Sequence, residues 1–169
     1  MQLFYHNKIE DFITLPKEES RHLIKVLRKE INDIIFITDG RGNLFSAKII
    51  LQDFKKCQLK ILKKESQKKQ HNYSLHIAIA PTKNMDRFEW FLEKATEIGV
   101  DEITPIICEK SERKKIKIER CEKIITSAMK QSLKFHKPKI NQPILFKDFI
   151  KNKNCEKKYI ASCNEINRK

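Results

Sequence analysis

The hydrophobic rhythm of this chain changes near residue 70, and that change constrains the fold more than any other feature. Before it, apolar residues come in short alternating runs. After it, short apolar runs alternate with stretches of helical period. DIIFITDGRGNLFSAKIILQ (33–52) reads as a hairpin, two β-rich runs flanking Asp39-Gly40-Arg41-Gly42, where the glycines supply positive φ. LFYH (3–6) and CQLKILKK (57–64) are further strand runs, and short strands at this spacing predict a small barrel or twisted sheet. A helix is expected to begin at Thr14 or Lys17. Pro16 suits its first turn, Glu18 and Glu19 suit a helix N-terminus, and His22, Leu23, Val26 and Leu27 fall on one face. KKESQKKQHN (63–72) is polar without apolar anchors and reads as a linker.

Beyond the linker, SLHIAIAP (74–81) is a buried-type strand stopped by Pro81. Residues 85–99 form a helix with Asp86 as its cap, Gly99 as its stop and Phe88, Phe91, Leu92 and Ala95 as its apolar stripe. EITPIIC (102–108) is the next strand, and 117–135 is a second helix with Cys121, Ile124, Ile125, Ala128 and Leu133 on one side. ILF (144–146) starts a strand or turn, DFIKN a short helix, and KKYIASC (157–163) another strand. Alternating strands and helices predict a parallel sheet with right-handed crossovers. The expected architecture is therefore an α+β two-domain chain, with β-rich residues 1–70 followed by α/β residues 71–169. Ligands of open α/β sheets bind beyond the carboxyl ends of the strands. Here those ends lead into loops 81–87 and 108–115, both basic.

Composition narrows the function. Phosphate cradles need clustered glycines, and the chain has three, at 40, 42 and 99. No apolar run approaches the ~20 residues that span a bilayer, and the start, MQLFYHNKIEDF, lacks a signal peptide's pattern, so no membrane role and a cytoplasmic location are expected. Five cysteines without a C-x-x-C spacing predict reduced thiols and no metal site. The net charge is +14, and residues 113–139 hold ten basic side chains against two acidic ones. Such a segment is the electrostatic footprint of a polyanion partner, most simply nucleic acid.

Three stretches then carry a resemblance. They are H22-L-I-K-V-L-R28 with N32-D33, D39-G-R-G42 and A47-K-I; K83-N-M-D-R-F-E-W-F-L-E-K-A-T-E-I-G-V-D-E-I-T-P105; and M129-K-Q-S-L-K-F-H-K-P-K139. Together they resemble the RsmE family of SPOUT-class methyltransferases, and the resemblance runs almost end to end. It implies methyl transfer from S-adenosylmethionine to N3 of a uridine in bacterial small-subunit (16S) ribosomal RNA. It also implies an N-terminal PUA-like β-barrel for RNA, an α/β SPOUT-type knotted methyltransferase domain, and a homodimer acting on RNA rather than DNA. The family's Gly-Pro-Glu-Gly-Gly and Leu-Gly…Leu-Arg…Glu-Thr segments, which make its cofactor pocket, do not occur in these 169 residues. The second domain is accordingly expected to be truncated, and the cofactor-binding residues are not assigned. A non-catalytic RNA-binding module is the alternative.

The resemblance implies that Arg21, His22, Lys25 and Arg28 face RNA. Lys83, Asp86, Arg87 and Glu89 lie in a strand-to-helix loop and the helix turn that follows, where exposed N–H groups and the helix dipole favour phosphate. Lys114 lies in the second basic loop. Gln131 and Ser132 match the family's Gln-Ser pair, and Lys130 and Lys134 flank it. Methylating N3 requires loss of its proton and stabilisation of charge on the uracil oxygens. Arg87 is the candidate cation, and Glu89 or Asp86 the candidate base. Glu89, Glu93 and Glu97 form a like-charge row on the helix that calls for a compensating cation from elsewhere.

Overall fold

The computed structural model describes residues 1–69, 71–151 and 157–161. In the first half, β1 (Leu3–Tyr5), β2 (Phe12–Thr14), β3 (Ile34–Thr38), β4 (Asn43–Leu51) and β5 (Gln58–Ser66) form one sheet in the order β1-β3-β4-β5-β2. β1 runs parallel to β3 and the other pairs are antiparallel. The alternation of the strands sets the inner face. Ile35 and Ile37, Ala47 and Ile49, and Leu59 are buried together with Phe4, Ile13, Leu15, Leu23 and Cys57. A bulge between Ser46 and Ala47 helps curl the sheet around this core. The predicted hairpin is present. The Asp39 carboxylate accepts from Arg41 N at 2.8 Å and Asn43 Nδ2 at 2.6 Å, and Gly40 and Gly42 take φ of 71° and 88°.

Helix α1 (Lys17–Arg21) begins at Lys17, the later of the two expected starts, with Pro16 at its N-cap rather than in its first turn, and passes straight into a π-helical turn, His22–Val26. Ser20 stitches this segment to the sheet, its buried hydroxyl donating to Leu15 O at 3.0 Å and accepting from Cys57 N at 3.1 Å. Burial beside it pushes the Cys57 thiol up to about 11, so this cysteine is a packing residue at neutral pH.

The second half carries β6 (His76–Ile79), β7 (Glu102–Ile107), β8 (Lys139–Ile140) and β9 (Ile144–Leu145), with β6, β8 and β9 each paired parallel to β7. Helix α2 (Met85–Ile98) joins β6 to β7, and α3 (Ile118–Gln131) joins β7 to β8. Both pack over one face, where Phe88, Leu92, Ala95, Val100, Ile103, Cys121 and Ile125 form a second core. Gly99, at φ 100°, ends α2 in a Schellman turn, its N–H donating to Thr96 O at 3.1 Å and Val100 N–H to Ala95 O at 3.0 Å. The expected strand over 157–163 is not found. Residues 157–161 are not in a strand, and 162 and 163 lie outside the described residues. Helix α4 (Phe146–Lys151) follows β9.

The linker expectation over 63–72 is corrected. β5 runs to Ser66, Gln67 N donates to Gly42 O at 2.6 Å, and Lys69 pairs with Asp101. The His71 ring bridges Tyr73 O at 2.7 Å and Gly99 O at 3.0 Å. Polar side chains here found fixed partners, so a polar composition did not mean a free tether. The halves are further joined at the hairpin tip. Gly42 N donates to Phe135 O and Lys137 N to Gly40 O, both at 2.8 Å. The Lys137 ammonium lies 5.0 Å from the centroid of the Tyr5 ring, and burial holds it below the usual lysine range.

Candidate nucleic-acid interface

The π-helical turn is the first candidate surface. Leu27 N donates to His22 O, five residues back, at 3.0 Å, so the turn takes in one residue more than an α-helix would, and Lys29 N closes it on Leu23 O, six residues back, at 3.2 Å. Arg28 then adopts a φ of 52°, a left-handed conformation that costs a non-glycine residue roughly 1–2 kcal/mol. Leu23 is fully buried and anchors the turn, and the His22 ring sits half-buried, 6.3 Å from that of Phe4. Arg21, Lys25 and Arg28 are exposed. The wide turn corrects the single apolar face expected from the sequence, because Val26 is rotated outward while Leu23 points in.

The second surface lies at the carboxyl ends of β6 and β7. The two loops meet there, with Arg113 donating from Nε and Nη2 to Lys83 O at 3.2 and 2.8 Å and Lys83 pairing with Glu112 at 3.2 Å. Lys83, Glu112, Arg113, Lys114 and Lys115 line an open groove of about 460 Å³. Asn84 rather than Asp86 caps α2, its Oδ1 accepting from Asp86 N at 2.9 Å. Both residue types can cap, so the sequence alone does not choose between them. Asp86 and Arg87 are exposed on the first turn, and Arg87 makes no ion pair among the described residues.

Glu89 is engaged differently. Arg120 of α3 donates from Nε and Nη2 to its two oxygens at 2.5 and 2.8 Å. Lys94 bridges Glu93 at 2.9 Å and Glu97 at 3.0 Å. The like-charge row on α2 is thus compensated by one residue of the same helix and one 31 positions away. The guanidinium beside Glu89 holds its carboxyl below the usual carboxylate range, with burial opposing weakly. A depressed carboxyl stabilises the fold above its unfolded pKa of about 4.3, and that contribution disappears as pH falls through the lower folded value. Glu89→Gln is therefore expected to lower the urea midpoint modestly at pH 7 to 8 and to converge with the parent below about pH 4, which flattens the acid limb of a midpoint-against-pH curve. An unaltered acid limb would show that the pair adds nothing.

The third surface is the end of α3. Leu133, at φ 52°, closes the helix in another Schellman turn, with Lys134 N donating to Met129 O at 3.0 Å. The Ser132 hydroxyl donates to Ala128 O at 2.7 Å, and Gln131 is exposed. Lys130 pairs with Glu19 of α1 at 2.5 Å, which ties α3 to the first half. Lys134, half-buried, lines a cavity at the junction with Lys69, His71, Asp101, His136 and Lys137.

The structure brings Arg21 and the residues after it close to Lys130 through the Glu19 pair. It sets Lys83, Asp86, Arg87 and Lys114 apart from them. The latter group lies near the start of α3, a helix of 14 residues and so about 20 Å long. A polar cluster on the sheet face away from α2 and α3 was missed from the sequence. Asn141 Nδ2 donates to Glu102 Oε1 and Thr104 Oγ1, both at 2.7 Å, and His76 Nε2 lies 2.7 Å from Thr104 Oγ1. The alternating positions 102 and 104 were its available signal.

Comparison with known proteins follows the same order along the chain. A family model described as an RNA methyltransferase PUA domain matches residues 15–62, and one described as an RNA methyltransferase domain matches 69–169. The chain is 33% identical over 159 residues to "Ribosomal RNA small subunit methyltransferase E" of Buchnera aphidicola, covering 90% of this chain and 62% of that protein. To the protein of the same name from Rickettsia conorii it is 31% identical over 144 residues, covering 84% and 58%. The chain thus spans about three-fifths of the length of these curated relatives. Among solved structures, a probable rRNA-methyltransferase from Porphyromonas gingivalis superposes with a TM-score of 0.86 at 45% identity, covering 91% of this chain and 65% of that one. The Neisseria gonorrhoeae methyltransferase E bound to S-adenosyl methionine superposes with a TM-score of 0.81 over 91% of this chain and 66% of that one, and at 23% identity shares the fold.

Proposed function

The chain belongs to the RNA methyltransferase family, in its RsmE branch, and on that premise we propose that it serves methylation of N3 of a uridine in bacterial small-subunit ribosomal RNA. What carries the reading is the order and extent of the match, a PUA domain followed without a gap of more than six residues by the methyltransferase domain. Two separate cationic surfaces support it, since phosphate contacts position RNA and a polyanion needs several. The π-helical turn offers Arg21, Lys25 and Arg28, and the strand edge offers Lys83, Arg87 and Lys114.

S-adenosylmethionine is the proposed methyl donor, by resemblance to the family. The groove at the carboxyl ends of β6 and β7 does not fit it. The groove at the strand edge is lined by four cations and one carboxylate, a poor seat for a sulfonium cation and an adenine ring. The chain's own residues bear on the RNA. Arg87 is the residue proposed to face negative charge on the uracil oxygens. Glu89, with both oxygens held by Arg120, suits a structural role better than that of a base, which leaves Asp86 of the two candidate bases. Exposed Trp90 and Ile98, eight residues apart on α2, suit contact with a second copy of the chain, the proposed homodimer. A ribosomal RNA substrate implies action in the cytoplasm.

The test has two readouts on small-subunit ribosomal RNA. Joined to the family's cofactor-pocket segments, the chain is expected on incubation with S-adenosylmethionine to yield N3-methyluridine by nucleoside mass spectrometry, and another methylated nucleoside, or none, overturns the reading. RNA affinity is expected to fall steeply with salt, with a log–log slope of about −4 if six phosphates of a single strand are neutralised. A slope near zero would remove RNA as the partner.

A further inference from the structure

The turn between β4 and β5 holds a side chain that neither core accounts for. Phe54 is 42% exposed and belongs to neither hydrophobic cluster. Its ring has the Lys25 ammonium 4.5 Å from its centroid and the Lys55 ammonium 5.5 Å away. Lys25 comes from the π-helical turn, so the ring sits where two distant segments meet. Both segments are fixed. The Asp53 carboxylate accepts from Lys55 N at 2.6 Å and Lys56 N at 3.1 Å, which sets the turn. Gln52 Nε2 donates to Lys29 O at 3.1 Å, which ties the turn to the residues after Arg28.

An exposed aromatic ring on a rigid mount, rimmed by flexible cations, has the makings of a nucleobase platform. Each base has a π-face, and stacking on an aromatic side chain is tolerant of sequence. The ammoniums contribute twice, since they hold the ring while it is free and lie within reach of backbone phosphates beside a stacked base. Bases inside an A-form duplex are already stacked and their major-groove edges are out of reach, so such a ring selects unpaired RNA. The surrounding charge agrees, with Arg21 and Arg28 exposed on the segment that carries Lys25, Lys56 exposed beside Lys55, and Asp53 directed at backbone N–H groups.

We propose that Phe54, with Lys25 and Lys55, forms a stacking site for one unpaired base of the RNA bound by this chain. The proposal rests on the RNA partner proposed above and adds the strandedness of what is held.

The experiment compares a 12-nucleotide single-stranded RNA with its duplex, by fluorescence anisotropy on the 169-residue chain. Phe54→Ala is expected to weaken single-strand binding by roughly 5- to 100-fold, the range for loss of one stacked base, with duplex binding little changed. Phe54→Tyr is expected to stay within about twofold of the parent, because the stacking face is retained. A direct readout guards against a folding defect. In a Trp90→Phe background, Phe54→Trp supplies the chain's sole indole, and its emission is expected to be quenched by the single strand and not by the duplex. Equal single-strand affinity of Phe54→Ala and parent, or an indole unmoved by RNA, overturns the stacking site and leaves the RNA reading standing. A parent chain that binds neither RNA overturns both.

Discussion

Gly42→Val will destabilise this protein by about 3 kcal/mol, from left-handed strain of ~1–2 kcal/mol plus the displacement of a packed ring. A Cβ at position 42 would stand 2.4 Å from His136 Nε2, 2.7 Å from Cε1 and 3.1 Å from Gln67 O, on a backbone with φ of 88°. Neither neighbour yields freely. The Gln67 oxygen is backbone, and residue 136 lies between two residues hydrogen-bonded to the hairpin tip. Urea unfolding measures the loss. Gly42→Ala in a His136→Ala background separates its parts, because removing the ring relieves the clash and leaves the strain. About half of the loss suffered by Gly42→Ala alone is expected to return. If Gly42→Val unfolds at the parent's midpoint, the close junction described here is wrong.

Leu23→Ala is expected to cost as much, about 3 kcal/mol within the 2–5 kcal/mol span of buried leucine truncations. Leu23 is fully buried in the first core and is the residue on which the π-helical turn rests. Its loss should have a second effect that a remote core truncation would lack. Arg21, Lys25 and Arg28 are presented by that turn, so RNA affinity should fall at temperatures where the chain is still folded. Val26→Ala is the control. Val26 is 64% exposed on the same turn, and the change should stay within about 0.5 kcal/mol. Urea midpoints and anisotropy on the two variants decide it, and an RNA affinity unchanged in folded Leu23→Ala would separate the turn from RNA binding.

The contrast between Leu23 and Val26 also marks where sequence reasoning stops. The strand runs at 33–52 and 57–64 were legible because a strand repeats strictly, but Ile34–Ile37 is apolar throughout, so only the folded sheet shows Ile35 and Ile37 facing inward. Gly99 announced a helix end for an equally local reason, its positive φ. A π-helical turn has no such signature. One extra residue in the turn rotates the following side chains, and the pattern His22, Leu23, Val26, Leu27 fits an α-helix as well. The cap at Asn84 was ambiguous with Asp86 two residues on, since both carry a short acceptor. The site was less legible than the fold because charge counts do not reveal which charges are already paired. Lys130 meets Glu19 across 111 residues and Glu89 meets Arg120 across 31. Both had been candidates for RNA or catalysis. Phe54 went unnoticed because one aromatic between lysines acquires meaning only when Lys25 arrives from another segment.

The hairpin tip that grips Phe135 and Lys137 has a geometric consequence. Two domains on a loose tether search space independently, and each samples its own ligand. Here hydrogen bonds at residues 40 and 42, the Lys130–Glu19 pair and the Lys69–Asp101 pair remove that freedom. The molecule becomes a gauge with two jaws at a set spacing. On the proposed function, the nucleotide presented to the second jaw is selected by its distance from the one held in the first. Altering the length of the 39–42 hairpin would then re-address the protein to a different position in the RNA rather than silence it.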